Sequence, residues 1–138
     1  MGNITFTMIK PEAVEAGNSG AIFKIIEDNN FRIVSLKKVL LNEEKASKFY
    51  EVHKDRPFYS ELVEYMSSGP IFAAILEKEN AVQDFRKLIG STNPLEAKDG
   101  TIRKLFAESM AKNAIHGSDS DENAIIESDF HFDSNERF

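Results

Sequence analysis

The six residues from Ile71 to Leu76 are apolar without interruption, bounded by Ser68-Gly69-Pro70 before them and Glu77-Lys78-Glu79 after. A run of that length is far short of the roughly 18 residues a spanning helix needs. Turn formers and charges at its ends mark it as a strand buried on both faces. A strand of this kind must lie inside a sheet, so the other elements have to be arranged around it. Ile4, Phe6 and Met8 alternate with Thr5 and Thr7, which predicts an opening strand, and Lys10-Pro11 ends it. Ile22, Phe23, Ile25 and Ile26 share one helical face after the loop Gly17-Asn18-Ser19-Gly20, with Asn29-Asn30 closing that helix. Phe31 to Leu41 is a β-rich run whose alternation changes phase between Ile33 and Val34, as at a bulge.

Asn42 before Glu43-Glu44 predicts a capped helix carrying Ala46, Phe49, Tyr50 and His53 on one face. A further helix through Leu62, Tyr65 and Met66 leads to the buried strand, and Ala81 to Ile89 is helical up to Gly90. From Gly90 to Asn113 the chain is polar, with only a short amphipathic piece at Ile102, Leu105 and Phe106. Connections of that length in a small domain usually serve function. Ala114-Ile115-His116 predicts a short strand, and 118–130 a last helix capped by Ser118 or Asp119. The order β-α-β-α-β-α-loop-β-α predicts an α+β fold of the ferredoxin-like, split βαβ type: an antiparallel sheet covered by helices, packed on one face. With 138 residues, a single domain over 1–138 is expected.

A formal net charge of -6 argues against a general nucleic-acid binder, and no membrane segment or secretion signal is visible, so cytoplasmic residence is the expectation. The absence of cysteine excludes disulfides, a thiol nucleophile and thiolate metal sites. Neither of the familiar glycine-rich phosphate loops is present, nor a zinc-binding helix motif, nor the nucleophile elbow of a serine hydrolase.

Asn113-Ala114-Ile115-His116-Gly117-Ser118-Asp119 is the informative segment. Taken alone it reads as a strand end, a glycine turn and a helix cap, and a histidine there is more often a surface or satisfied residue. Yet a histidine before a glycine turn and a helix start sits beside backbone N–H groups that favour anions. A neutral imidazole nitrogen is also a good nucleophile toward phosphorus.

Together with Thr5-Phe6-x-x-Ile9-Lys10-Pro11, Tyr50, Asp55-Arg56-Pro57-Phe58, Ser68-Gly69-Pro70, Arg86, Gly90-x-Thr92-Asn93-Pro94 and Gly100-Thr101-Ile102-Arg103, this segment resembles the nucleoside diphosphate kinase family from Thr5 to about Phe132. The resemblance implies ping-pong transfer of a γ-phosphate from a nucleoside triphosphate to a diphosphate, through a phosphohistidine on His116. It implies that Arg86, Arg103 and Thr92 bind phosphates, that Lys10 and Asn113 contact the ribose region with Lys10 near the moving phosphate, and that Tyr50 lies near the γ-phosphate. Phe58 would stack on the base, and Ser118 and Glu127 would support the histidine. Mg²⁺ would be held chiefly by nucleotide phosphates, so no metal ligand is named. A homo-oligomer, tetramer or hexamer, is implied as well.

His53 and His131 match no functional position of the family and are expected to be structural or exposed. Glu12-Ala13 stands where the family typically has Asp-Gly, and Lys112 and Ala114 flank Asn113 where arginine and a larger aliphatic residue are frequent. Two rival readings use the same segment. A phosphohistidine carrier domain would need His116 but neither Phe58 nor the arginine pair. A nucleotide-sensing module of the same fold would be expected to lack the histidine or an arginine.

Overall fold

The computed structural model describes residues 2–138; Met1 lies outside the described residues. Strands β1 (Ile4–Ile9), β2 (Arg32–Val39), β3 (Ile71–Glu77) and β4 (Ile115–Gly117) form one antiparallel sheet in the order β2-β3-β1-β4. β1 pairs with β3 from Ile4 opposite Glu77 to Ile9 opposite Phe72, and with β4 from Thr7 opposite Gly117 to Ile9 opposite Ile115. Since every neighbouring pair is antiparallel, β1 and β2 run the same way with β3 between them. β3 and β4 likewise run the same way around β1. This is the split βαβ plan expected from the sequence. Helices α1 (Pro11–Glu15) and α2 (Ser19–Asp28) join β1 to β2. Helix α3 (Glu43–Phe49), a 3-10 turn (Glu51–His53) and α4 (Tyr59–Met66) join β2 to β3. Helices α5 (Ala81–Ile89) and α6 (Ile102–Phe106) lead to β4, and α7 (Asp121–His131) follows it.

The phase change in β2 is real: the pairing with β3 shifts between Ile33 and Ser35, leaving Val34 as the extra residue. One expectation needs correction. Helices cover both faces of the sheet, because the pleat sends the apolar run of β3 in two directions. Ala74 and Leu76 join Ile9, Ile22, Ile26 and Phe85 in one core. Ile71, Ala73 and Ile75 join Phe6, Met8, Ala46 and Met66 in the other. A run apolar at every position leaves neither side free for water, so each side needs its own helices.

A local signal placed the start of α3. Asn42 caps α3, its side chain accepting from the Lys45 N–H at 2.8 Å, a contact worth about 1 kcal/mol. The last helix begins later than expected. Its cap is Ser120, which accepts from the Asn123 N–H at 3.1 Å, while Ser118 is drawn inward to a different partner described below. Gly117 packs closely: a Cβ there would lie 2.9 Å from Ile89 Cδ1 and 3.1 Å from Phe85 Cδ2, so both side chains would have to give way.

His131 is structural, as expected, and buried. Its ring stacks on Phe6 at 5.0 Å between centroids and meets Phe130 edge-on at 4.9 Å. Burial first, then the nearby Lys37 and His116, push its pKa down to about 4. Because the folded value lies below the ordinary value of about 6.5, the unfolded chain takes up a proton between those limits that the folded chain refuses. The contribution is complete above about pH 6.5 and is lost as pH falls toward 4. Chemical denaturation should therefore show about 2 kcal/mol lost between pH 7 and pH 5 on this account, and His131→Phe should abolish that part of the slope. Equal slopes in the two proteins would refute the assignment.

Candidate active site

A cleft of about 590 Å³ opens where the turn after α3, the end of α5, the segment Gly90–Thr92 and the start of α7 face β4. Tyr50, Arg86, Thr92, Arg103, His116 and Glu127 all line it. The sheet does the gathering: β4 carries His116 beside β1, where Thr7 Oγ1 donates to the His116 carbonyl at 2.7 Å.

His116 is held by a short relay. Its Nε2 lies 2.8 Å from Glu127 Oε1, and Ser118 Oγ donates to the same oxygen at 2.7 Å. Ser118 in turn accepts from the Phe6 N–H at 3.2 Å, which ties the relay to the central strand. A carboxylate can only accept, so the proton of the imidazole resides on Nε2 and the lone pair on Nδ1. Phe6 and Phe49 flank the ring, with centroids 6.0 Å and 5.8 Å away. The side chain is thus oriented on one edge and packed on its sides.

The cations converge from three parts of the chain. Arg103 on α6 is buried and donates through Nη1 to the Gly90 carbonyl at 3.0 Å and through Nη2 to the Ile115 carbonyl at 2.8 Å. Its Nε is buried with no partner among the described residues, an unspent donor. Burial and the neighbouring Arg86 lower its pKa to about 10, so it remains charged at neutral pH. Among the described residues no carboxylate pairs with Arg86 or Arg103. Two unpaired guanidinium groups side by side are unfavourable unless an anion joins them. Gly90 permits this corner. With φ +89° and Thr101 Oγ1 only 2.6 Å from where a Cβ would stand, any other residue would be strained and displaced.

Lys10 is buried and its Nζ donates to Asn113 Oδ1 at 2.7 Å. Burial, followed by the charge of Arg103, lowers its pKa to about 8, with Glu12 working in the opposite direction. Tyr50 is buried with its hydroxyl unpartnered among the described residues, and burial followed by Glu127 raises its pKa, so it stays a protonated donor. Phe58 is not brought into the cleft wall. It is half exposed just before α4, its ring 5.7 Å from that of His53, which does line the cleft.

The family profile described as nucleoside diphosphate kinase matches residues 3–137. The chain belongs to the nucleoside diphosphate kinase family. It is 60% identical over 136 residues to the nucleoside diphosphate kinase of Flavobacterium psychrophilum, covering 99% of this chain and 98% of that one. The Chlorobaculum tepidum nucleoside diphosphate kinase is 58% identical over 132 residues, covering 96% and 94%. Among solved structures, the Aquifex aeolicus nucleoside diphosphate kinase superposes with a TM-score of 0.97 at 43% identity, covering 99% of both chains. A halophilic nucleoside diphosphate kinase from Halobacterium salinarum, solved in complex with CDP, superposes with a TM-score of 0.94 at 34% identity, covering 100% of this chain and 92% of that one.

Sequence reasoning on this nucleoside diphosphate kinase chain missed Thr7 as part of the site's support. A threonine in a strand carries no signal of its own; it matters through the His116 carbonyl, far away in sequence. The loop geometry that puts Gly90 against Thr101 is equally invisible before folding.

Proposed function

We propose that this chain transfers the γ-phosphate of a nucleoside triphosphate to a nucleoside diphosphate in two half reactions at His116. Nδ1 attacks the γ-phosphorus, the bond from phosphorus to the bridging oxygen breaks, and the first diphosphate leaves with that oxygen. A terminal oxygen of the second diphosphate then attacks the phosphorus, and the P–N bond breaks to return the imidazole. The relay from Nε2 to Glu127 and Ser118 carries this reading, because it orients the ring, fixes the tautomer and stabilises the cation that forms as phosphorus bonds to Nδ1.

Phosphoryl transfer depends mainly on positioning and on stabilising charge on the moving group. Arg103 and Arg86 supply planar forks of donors for that charge, and Thr92 and Tyr50 supply hydroxyls. Lys10 and Asn113, already bonded to one another, are assigned to the ribose hydroxyls, with Lys10 near the phosphate. Phe58 is assigned to the base; its half-exposed ring needs only a π-face, which every base offers. The resemblance implies Mg²⁺. Among the described residues no group of three or more histidine or acidic side chains could hold a metal, and Glu127 is taken by the relay. That donor set fits an ion carried on phosphate oxygens and water, with Asp119 the remaining carboxylate on the cleft wall. When bound, such an ion offsets phosphate charge.

The same reading places the chain in the cytoplasm as a single domain over 1–138 that assembles into a homo-oligomer, tetramer or hexamer. β2 is an edge strand of the sheet, bonded by the Phe138 N–H at Val34, with Leu36 exposed on it and Leu40 exposed just past its end. None of the described helices is long and apolar enough to cross a membrane. Initial rates measured at several fixed diphosphate concentrations should give parallel double-reciprocal lines, the mark of a covalent intermediate between substrates. Lines meeting at a point would mean both nucleotides bind together, and the two-step reading would be wrong.

A further inference from the structure

Asn113, Ala114 and Ile115 form a three-residue turn immediately before His116. The Ile115 N–H donates to the Asn113 carbonyl at 2.9 Å, and Ala114 between them has φ +72°. This is the strained γ-turn, which a residue with a Cβ adopts only when its surroundings hold it there. Two contacts hold it. The Ala114 carbonyl accepts from the Lys10 N–H at 2.8 Å, and the Ala114 N–H donates to Glu12 Oε1 at 2.9 Å.

The first contact comes from the backbone beside β1 and any residue could make it. The second depends on one side chain. Glu12 lies in the first turn of α1, partly buried, with its second oxygen Oε2 buried and unpartnered among the described residues. Burial raises its pKa, the adjacent Lys10 opposing the shift and Glu108 adding to it. A carboxylate so placed gains little for itself, since one oxygen has lost water without replacing it. What it does is satisfy the N–H of a fully buried residue.

We propose that Glu12 is a positioning residue of the phosphoryl-transfer site, holding the Ala114 turn and through it the placement of Asn113 and His116. Without an acceptor at this point the Ala114 N–H is left orphaned and the turn relaxes toward negative φ. Asn113 then turns away from Lys10, and β4 enters the sheet from a different direction. The inference rests on the roles proposed above for His116 and Asn113.

Three variants test it: Glu12→Ala, Glu12→Gln and the double variant Glu12→Ala/Ala114→Gly. The single-turnover rate of phosphate uptake from a labelled triphosphate and the melting temperature are read on each. Glu12→Ala should take up phosphate roughly tenfold more slowly, the scale of strain at one left-handed residue. Glu12→Gln keeps an accepting oxygen and should stay within about threefold of the parent. The double variant should recover most of the loss, because glycine holds positive φ without side-chain help. A merely structural role would move melting temperature and rate together and would not be repaired by glycine at 114. Wild-type uptake in Glu12→Ala overturns the proposal, as does a loss that neither glutamine nor glycine relieves. Hydrogen exchange on the unmutated protein reads the contact without any substitution: the Ala114 N–H should be protected, and exchange at the rate of a free amide contradicts the bond. Failure of the parent protein itself to take up phosphate would instead count against the role of His116.

Discussion

Replacing His116 by alanine should lower kcat by about five orders of magnitude, the scale seen when a covalent nucleophile is removed. Among the described side chains on the cleft, His116 alone joins a nucleophilic ring nitrogen to an orienting carboxylate, Glu127. The fold should survive. His116 is a partly exposed residue of β4 whose backbone bonds to β1 do not depend on its ring. Ser118 also keeps its bond to Glu127 when the imidazole is gone. A melting temperature near the parent value, with turnover absent, is the expected pair of results. Turnover within tenfold of the parent would show that the covalent step lies elsewhere.

Arg103→Ala should cost about 10²–10³ in kcat, the usual loss when one preorganised donor to a developing charge is removed. Here the structure adds a second effect that sequence alone did not suggest. The guanidinium also ties the carbonyls of Gly90 and Ile115 together. Its removal leaves one buried and one partly buried carbonyl without this donor and costs stability on the order of 2 kcal/mol. Arg103→Lys separates the effects, since a lysine keeps the charge but cannot reach both carbonyls and a phosphate with a rigid fork. The lysine variant should regain part of the rate while remaining destabilised. If both variants turn over within about threefold of the parent, Arg103 is a structural clasp and not a phosphate ligand.

The split βαβ plan was legible because Ile71 to Leu76 within β3 is apolar throughout and β1 alternates, while the bulge in β2 announced itself through a phase change. Coverage on both faces followed from that same run, yet it was missed when helices were assigned to one side. Helix starts were read well where the cap had no competing duty, as at Asn42. At the last helix Ser118 was the wrong cap, because tertiary structure recruits its hydroxyl into the relay with Glu127 and Ser120 caps instead. The proposed site residues were legible through motif resemblance, whereas what holds them was not. Glu12, Thr7 and the positive φ of Ala114 are backbone matters that no side-chain pattern reports. Phe58 was expected at the nucleotide base and stands beside His53 outside the cleft wall, so its role depends on how the base lies.

An acidic chain with net charge -6 can still bind a polyanion because folding brings Arg86 and Arg103 to one cleft, with Lys10 buried close enough to feel the charge of Arg103. What the charge count excludes is an extended basic surface. The central claim is that His116 carries the phosphate between two nucleotides, and labelling tests it most directly. Incubation with γ-labelled ATP should give stoichiometric protein phosphate that is acid-labile and base-stable, mapped to His116. A nucleoside diphosphate added afterwards should remove the label as labelled triphosphate. Label that persists in the presence of diphosphate, or that forms equally in His116→Ala, would contradict the account.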